Sequence, residues 1–317
     1  MSKSNVPKSP KHVYLTKVSH KRSFSTLAEE YLLFKKAQGI SERTQSDILE
    51  HIQRFFRLYS KTTKKTLSIH VLHYMSQDNL SPYTYNLRLV YLRGFFNYCV
   101  EKEFIKENPM AGLKKRKVTP RIVDVDLSKV KDLLNVPDKT TYTGYRDYCL
   151  MLLQLDTGIR PSEALALIPS DYNRSAAQVT VRAATAKTRT ERTLPLSKLV
   201  SDHIYKLLCL KPKEWGKDCP IFSDYKGDKT QSHIYAKHMS RYCKQLGEDV
   251  RITPYYLRHI FALNFVRNGG SPFALQKTLG HSDLNMTKTY IALTQADMKE
   301  AHMNATPINS LFKKRLK

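Results

Sequence analysis

Five side chains in the second half of the chain have the types and the order that phosphoryl chemistry needs: Arg160, Lys187, Arg258, His281 and Tyr290. A tyrosine hydroxyl can attack a phosphodiester when cations neutralise the charge that builds on the non-bridging oxygens. Two arginines and a histidine supply such donors. A lysine, a single charge on a flexible stem, suits protonation of the oxygen that leaves. These are the groups that transfer of a phosphoryl group from a diester to a tyrosine would need, and Tyr290 sits nine residues after His281. Each residue alone reads more plainly. A helix-start arginine commonly pairs with a carboxylate three residues on, most loop lysines are solvated, and a lone helical tyrosine is usually a packing residue. Their combination in one order carries the reading.

The residues around these five punctuate the elements that must hold them. In TGIRPSEALAL a helix ends near Asp156, Gly158 breaks it, and Pro161 opens the next at its first turn. Arg160 then stands at an N-terminal edge, with Glu163 on the same face. Short strands near Gln178 to Val181 and near Arg192 to Leu196 flank Lys187, which lies in the turn-like ATAKTRTERT. Arg189 and Arg192 are rivals for the lysine's place if the loop register differs. Thr253 caps a helix from Pro254 to about Asn268, ended by Gly269 and Gly270. Tyr255, Arg258 and His259 share one face of it by three- and four-residue spacing. Ser271-Pro272 opens another helix, Gly280 ends it, and Ser282 or Asp283 caps the next. An unbroken helix would put His281 and Tyr290 about half a turn apart in azimuth. The break places His281 in the connection and Tyr290 on the helix that follows.

Upstream, residues 24 to 110 read as a small helical domain. Leu27, Tyr31, Leu32 and Phe34 mark one helix; Ser41 caps a second through Ile48, Ile52, Phe55, Phe56 and Tyr59; Ser81 and Pro82 start a third with Tyr85, Leu87, Leu89, Leu92, Phe95 and Phe96. Helical spacing assigns these aromatics to a core rather than to base stacking. Arg43, Arg54, Arg88 and Arg93 are candidate phosphate contacts. Residues 1 to 23 form a basic arm rich in serine and proline. Pro109, Gly112 and Pro120 break helices around a linker at 111 to 121, where Lys114, Lys115, Arg116 and Lys117 suit a strap along a DNA backbone. Residues 122 to 304 form the larger domain, and 305 to 317 a tail in which Ile308, Leu311 and Phe312 offer a small apolar anchor.

Composition narrows the partners. A length of 317 residues suits two domains with separate cores. A formal charge of +25 favours a polyanion. The longest apolar stretch, Cys149 to Leu155, is too short to span a bilayer. The five cysteines lack CxxC spacing, which argues for reduced thiols in a cytoplasmic protein, with neither zinc site nor disulfide framework. No P-loop and no carboxylate cluster is visible.

Together the TGIRPSE, TPYYLRH and LGHSDLNMTKTYIAL segments resemble the tyrosine recombinase family, also called the phage integrase family, over roughly residues 24 to 300. The resemblance implies a mainly α fold with a small β element: a helical N-terminal core-binding domain and a catalytic domain that clamp opposite faces of duplex DNA. It implies that Tyr290 forms a 3′-phosphotyrosyl link, that Arg160, Arg258 and His281 hold the scissile phosphate, and that Lys187 on a β-hairpin protonates the leaving 5′ oxygen. Glu163 braces the site, and His259 is a structural hydrogen-bonder. Neither metal nor cofactor is implied. The sequence departs from the family at Tyr255, where a histidine is usual; a phenol is a poor base near neutral pH. The implied assembly is a homo-tetramer on two double-stranded DNA sites, nucleoid-associated in the cytoplasm, with no membrane role and with room for an accessory directionality factor. The basicity tilts the reading toward a mobile-element integrase or transposase. The alternatives are a Xer-like chromosome or plasmid resolvase, a type IB topoisomerase-like enzyme, and a catalytically impaired DNA-binding relative.

Overall fold

The computed structural model describes residues 23–118, 126–247 and 249–281. Tyr290, the arm up to residue 22, the end of the linker and the tail at 305–317 lie outside the described residues. The chain divides into two compact units, residues 1–119 and 120–317.

In the first unit the described helices are α1 (Phe24–Ala37), α2 (Glu42–Leu58), α3 (Leu67–Met75) and α4 (Pro82–Glu101). Serine caps start three of them: Ser23, Ser41 and Ser81 accept the N–H groups of Thr26, Thr44 and Thr84. Pro82 occupies the first turn of α4, where its missing N–H costs nothing. Helix α3 is an addition to the elements the sequence suggests. Its N-cap Thr66 makes no side-chain cap bond, so no local start signal marks it. Packing holds it instead, through buried Leu67, Val71, Tyr74 and Met75. Phe55, Phe95 and Phe96 are fully buried, with Phe55 edge-on to Tyr74 and to Phe96 at 5.4 and 6.0 Å between centroids. Tyr31, Phe55, Tyr85, Phe95 and Phe96 are core, as their spacing predicts, whereas Phe34 is 42% exposed, on the outward side of α1.

Two of the expected phosphate contacts are corrected here. Arg88 is only 4% exposed. Its guanidinium donates to the Tyr74 carbonyl at 2.9 Å and to Gln77 Oε1 at 2.7 Å, and lies 4.1 Å over the Tyr74 ring. The reason is its register: Arg88 lies three residues after Tyr85 and four before Leu92, on the inward face of α4. Arg93 is half-buried, and its Nη2 donates to the carbonyls of Met110 (3.0 Å) and Leu113. These two cations fasten the chain to itself. Arg43 and Arg54 are exposed, and Arg43 pairs with Asp47 at 3.2 Å. Lys114, Lys115, Arg116 and Lys117 are also exposed. Arg116 is fixed to the first unit nonetheless: Asn86 exchanges two hydrogen bonds with its backbone, at 2.8 and 2.9 Å, and its guanidinium lies 4.0 Å over Tyr85.

The described elements of the second unit are α5 (Leu127–Asn135), α6 (Tyr142–Thr157), the single turn α7 (Pro161–Ala164), β1 (Tyr172–Asn173), β2 (Gln178–Val181), β3 (Arg192–Pro195), α8 (Lys198–Cys209), α9 (Ser232–Leu246), α10 (Pro254–Arg267) and α11 (Pro272–Leu279). Helix α6 is the axis of this unit. Tyr145, Cys149, Leu150, Met151, Leu152 and Leu153 are all buried, so its apolar run is interior and lacks an amphipathic stripe. Burying each large side chain of this kind contributes about 1.5–3 kcal/mol. Buried Asp147 ties α6 to α9 by accepting from Arg146 at 2.7 Å, His238 Nδ1 at 2.8 Å and Tyr242 Oη at 2.8 Å. The sheet is antiparallel in the order β1-β2-β3, with Val181 opposite Arg192. The two-residue β1 adds to the two strands expected. Val179, Val181 and Leu194 point into the core and anchor the hairpin that carries Lys187. Among the described residues no helix is long and apolar enough to cross a membrane.

Truncating Arg88 to alanine strands the Tyr74 carbonyl in the interior and is expected to destabilise the protein by about 1–3 kcal/mol. Arg43→Ala should stay within about 0.5 kcal/mol. Urea unfolding followed by circular dichroism distinguishes the two; equal midpoints would contradict the structural role of Arg88.

Candidate active site

The site begins where α6 stops. Gly158 caps the helix in the left-handed region at φ +63°, and a Cβ there would lie 2.4 Å from Phe261 Cδ1 and 2.7 Å from Leu279 Cδ2. Only glycine lets α6 end against α10 and α11 at this point. The Gly158 carbonyl then accepts Arg258 Nη1 at 2.6 Å. Two residues on, Arg160 is the N-cap of α7, and its N–H is taken by Glu163 Oε2 at 3.3 Å.

Three arginines from separate parts of the chain converge on the last carbonyls of α11. Arg192 Nε donates to the Thr278 carbonyl at 2.9 Å, Arg258 Nη2 to that of Leu279 at 2.8 Å, and Arg160 Nη2 to that of Gly280 at 2.9 Å. Terminal carbonyls lack intrahelical partners and carry the negative end of the helix dipole, so cations are favoured there. Gly280 at φ +61° ends the helix and turns the chain into His281. A Cβ on Gly280 would sit 3.1–3.3 Å from the Arg192 guanidinium, so that glycine also gives Arg192 its place.

Glu163 is the carboxylate that pairs with this cluster among the described residues, and it is fully buried. It meets Arg160 Nη1 at 3.0 Å and Arg192 Nη2 at 2.5 Å, and accepts the Lys187 backbone N–H at 3.3 Å. Burial would raise its pKa, but the hydrogen bond and charge of Arg192 and the charge of Arg160 outweigh that and hold it below the usual carboxylate range. Among the described residues the cluster holds three guanidinium groups and one carboxylate, which pairs with two of them, leaving a surplus of positive charge.

Arg258 is 5% exposed, and its Nη2 also approaches His281 Nε2 at 3.0 Å. A guanidinium only donates, so Nε2 is the acceptor and Nδ1 carries the imidazole proton. Burial first, then the charges of Arg258, Arg160 and Arg192, lower the His281 pKa to about 4. The imidazole is therefore neutral at pH 7. His259 follows Arg258 on α10, its pKa lowered by burial and by the Arg258 charge. Lys187 is held by its backbone while its side chain is exposed, at the tip of a loop where Arg189 adopts φ +54°. Tyr255 is 55% exposed, whereas Arg258 on the next turn points inward.

Residues 124–297 match the Phage integrase family, more than half of the 317-residue chain. The chain belongs to that family, the tyrosine recombinases. It is 26% identical over 252 residues to tyrosine recombinase XerC of Chlamydia caviae, covering 78% of this chain and 80% of that one. It is 25% identical over 299 residues to tyrosine recombinase XerD of Listeria monocytogenes, covering 89% and 98%. In fold it is similar to the Tn1549 transposon integrase in complex with a circular intermediate DNA, with a TM-score of 0.67 at 19% identity over 88% of this chain and 99% of that one. A lambda integrase dimer bound to a core site gives 0.66 at 17%, over 83% and 96%.

Of the recombinase residues singled out in the sequence, the fold gathers Arg160, Glu163, Arg258 and His281 into one cluster and brings the Lys187 backbone to it. Tyr290 lies outside the described residues. Arg192 enters the sequence reading only as a rival for Lys187; in the structure it joins the buried cluster, its side chain 9% exposed. The available signal was strand alternation, because Arg192 shares an inward register with Leu194 two residues on.

The depressed pKa of His281 has a definite sign. An unfolded histidine titrates near 6.5, so the unfolded chain binds the extra proton first as pH falls. Stability from His281 should be intact above about pH 6.5 and decline as pH drops toward 4. Ring-proton NMR, assigned by comparison with His281→Gln, should show the resonance titrating near pH 4. A midpoint near the free-histidine value would contradict the Arg258 contact.

Proposed function

We propose that the protein is a site-specific DNA recombinase of a mobile element, an integrase or transposase, that cuts and rejoins duplex DNA through a 3′-phosphotyrosyl link on Tyr290. The observation that carries this is the gathering of Arg160, Arg258 and His281 at the end of α11, nine residues before Tyr290. Tyr290 Oη forms a bond to phosphorus as the bond to the 5′ oxygen breaks. Lys187 gives that oxygen a proton. Arg160 and Arg258 neutralise the non-bridging oxygens; losing one such donor typically costs about 10²–10³ in rate. Tyr255 stands where a proton-accepting histidine is expected. The phenolic hydrogen passes to solvent as the bond to phosphorus forms, and His281 joins the two arginines at the non-bridging oxygens. The 5′ hydroxyl of another strand then reverses the step. The phosphoryl bond is kept in the covalent link, so no nucleotide is consumed.

Exposed Arg43 and Arg54, with Lys114, Lys115 and Lys117, are the proposed backbone contacts, and a surplus of 25 positive charges supports a polyanionic partner. Four protomers on two sites, with a directionality factor, complete the proposed nucleoid assembly. The XerC and XerD relatives favour a second reading, a chromosome or plasmid resolvase with the same chemistry.

Covalent trapping on nicked duplexes from a randomised library tests the proposal. Wild type should give denaturation-resistant adducts enriched for one sequence. Tyr290→Phe should give none while still binding DNA, and Lys187→Ala should cleave about 10²–10⁴ times more slowly. Whether the enriched sequence lies at the ends of a mobile element or elsewhere in chromosome or plasmid separates integrase from resolvase. Adducts with no enrichment would indicate a topoisomerase-like enzyme, and tight binding without adducts a catalytically impaired relative.

A further inference from the structure

Arg192 belongs to the buried cluster but is given no role in the strand-breaking steps proposed above. It sits on β3, directly after the loop that carries Lys187, and reaches two places at once. Its Nη2 meets Glu163 Oε2 at 2.5 Å, and its Nε meets the Thr278 carbonyl at 2.9 Å. Among the described residues its Nη1 is buried without a hydrogen-bond partner, against the face of Gly280 that a Cβ would fill. A buried donor left unpaired is unfavourable, so this placement is held against a penalty. What holds it is the fork. A planar guanidinium can bridge a carboxylate and a helix-end carbonyl in fixed geometry, which a lysine amine cannot reproduce. Glu163 in turn holds the Arg160 guanidinium and the Lys187 backbone N–H, while Gly280 leads into His281.

We infer that Arg192 is a positioning residue that locks the β-hairpin to the α11 turn, so that Arg160, the Lys187 loop and His281 take their places together. It touches none of the reacting atoms and is distinct from the general acid. The inference rests on the strand-breaking function proposed for the cluster, but part of its test does not.

The experiment compares Arg192→Gln, Arg192→Lys and Lys187→Ala with wild type on nicked duplexes carrying either the normal 5′ oxygen or a 5′-bridging sulfur at the trapped site. Sulfur leaves without a proton donor and so restores cleavage wherever only the general acid is missing. Lys187→Ala should recover on the sulfur substrate. Arg192→Gln should be slower by roughly a hundredfold on both, the scale of a misplaced catalytic group. Arg192→Lys, which keeps the charge without the fork, should fall between wild type and Arg192→Gln. In the same variants, NMR should show the His281 midpoint of Arg192→Gln rising from about 4, since one of the charges that lower it is gone and its turn is released. Recovery of Arg192→Gln on the sulfur substrate would make Arg192 the proton donor and overturn the inference. An unchanged His281 midpoint would overturn it as well. If wild type itself forms no adduct, the strand-breaking function fails, and the His281 titration alone decides the role of Arg192.

Discussion

Everything at the site depends on the unpaired carbonyls at the end of one eight-residue helix. Thr278, Leu279 and Gly280 each accept from a different arginine, drawn from β3, α10 and the cap of α7. Helix ends must find partners for these groups, and a charged donor makes a stronger bond there than a neutral one. The same contacts that complete α11 therefore concentrate positive charge at one spot. Like charges at close range oppose this gathering, and a single buried carboxylate, Glu163, offsets part of the repulsion by pairing with two of the three.

The arrangement fixes the orientation of the guanidinium groups. Each has five N–H donors in a rigid plane, and helix-end carbonyls fix that plane without neutralising its charge. For the strand-breaking reaction proposed, donors held in this way need no reorganisation, the condition under which electrostatic stabilisation of a transition state is greatest. His281 fits the same logic. Partly withdrawn from water and surrounded by arginines, it is kept neutral, its unprotonated Nε2 accepting from Arg258. A negatively charged ligand would reverse the balance of charges that keeps it so.

The first unit applies the same chemistry to a structural end. Arg88 and Arg93 also donate to backbone carbonyls, Arg88 under the Tyr74 ring and Arg93 at the segment that leaves α4. There the guanidinium serves to tie loops to helices. A strongly basic composition therefore overstates the charge available to DNA, because some of its arginines are internal fasteners.

Much of this was legible in the residues. Helix boundaries followed from local chemistry: Ser41 and Ser81 as caps, Pro161 and Pro254 in first turns, Gly158 and Gly280 in left-handed terminators. The motifs around Arg160, Arg258 and His281 were likewise readable, because each couples a functional side chain to its own punctuation. What the sequence could not supply is anything decided by contacts between distant elements. Helix α3 has no side-chain cap and exists because its face packs. Arg88 looked like any surface cation until α4 was docked and its inward face became interior. Arg192 was only a rival for the place of Lys187 until β3 brought it to Glu163 and α11 across the fold. Local signals act over one helical turn and are written in consecutive residues. The burial and pairing of a charge depend on groups dozens of positions away, and only the tertiary structure brings those together.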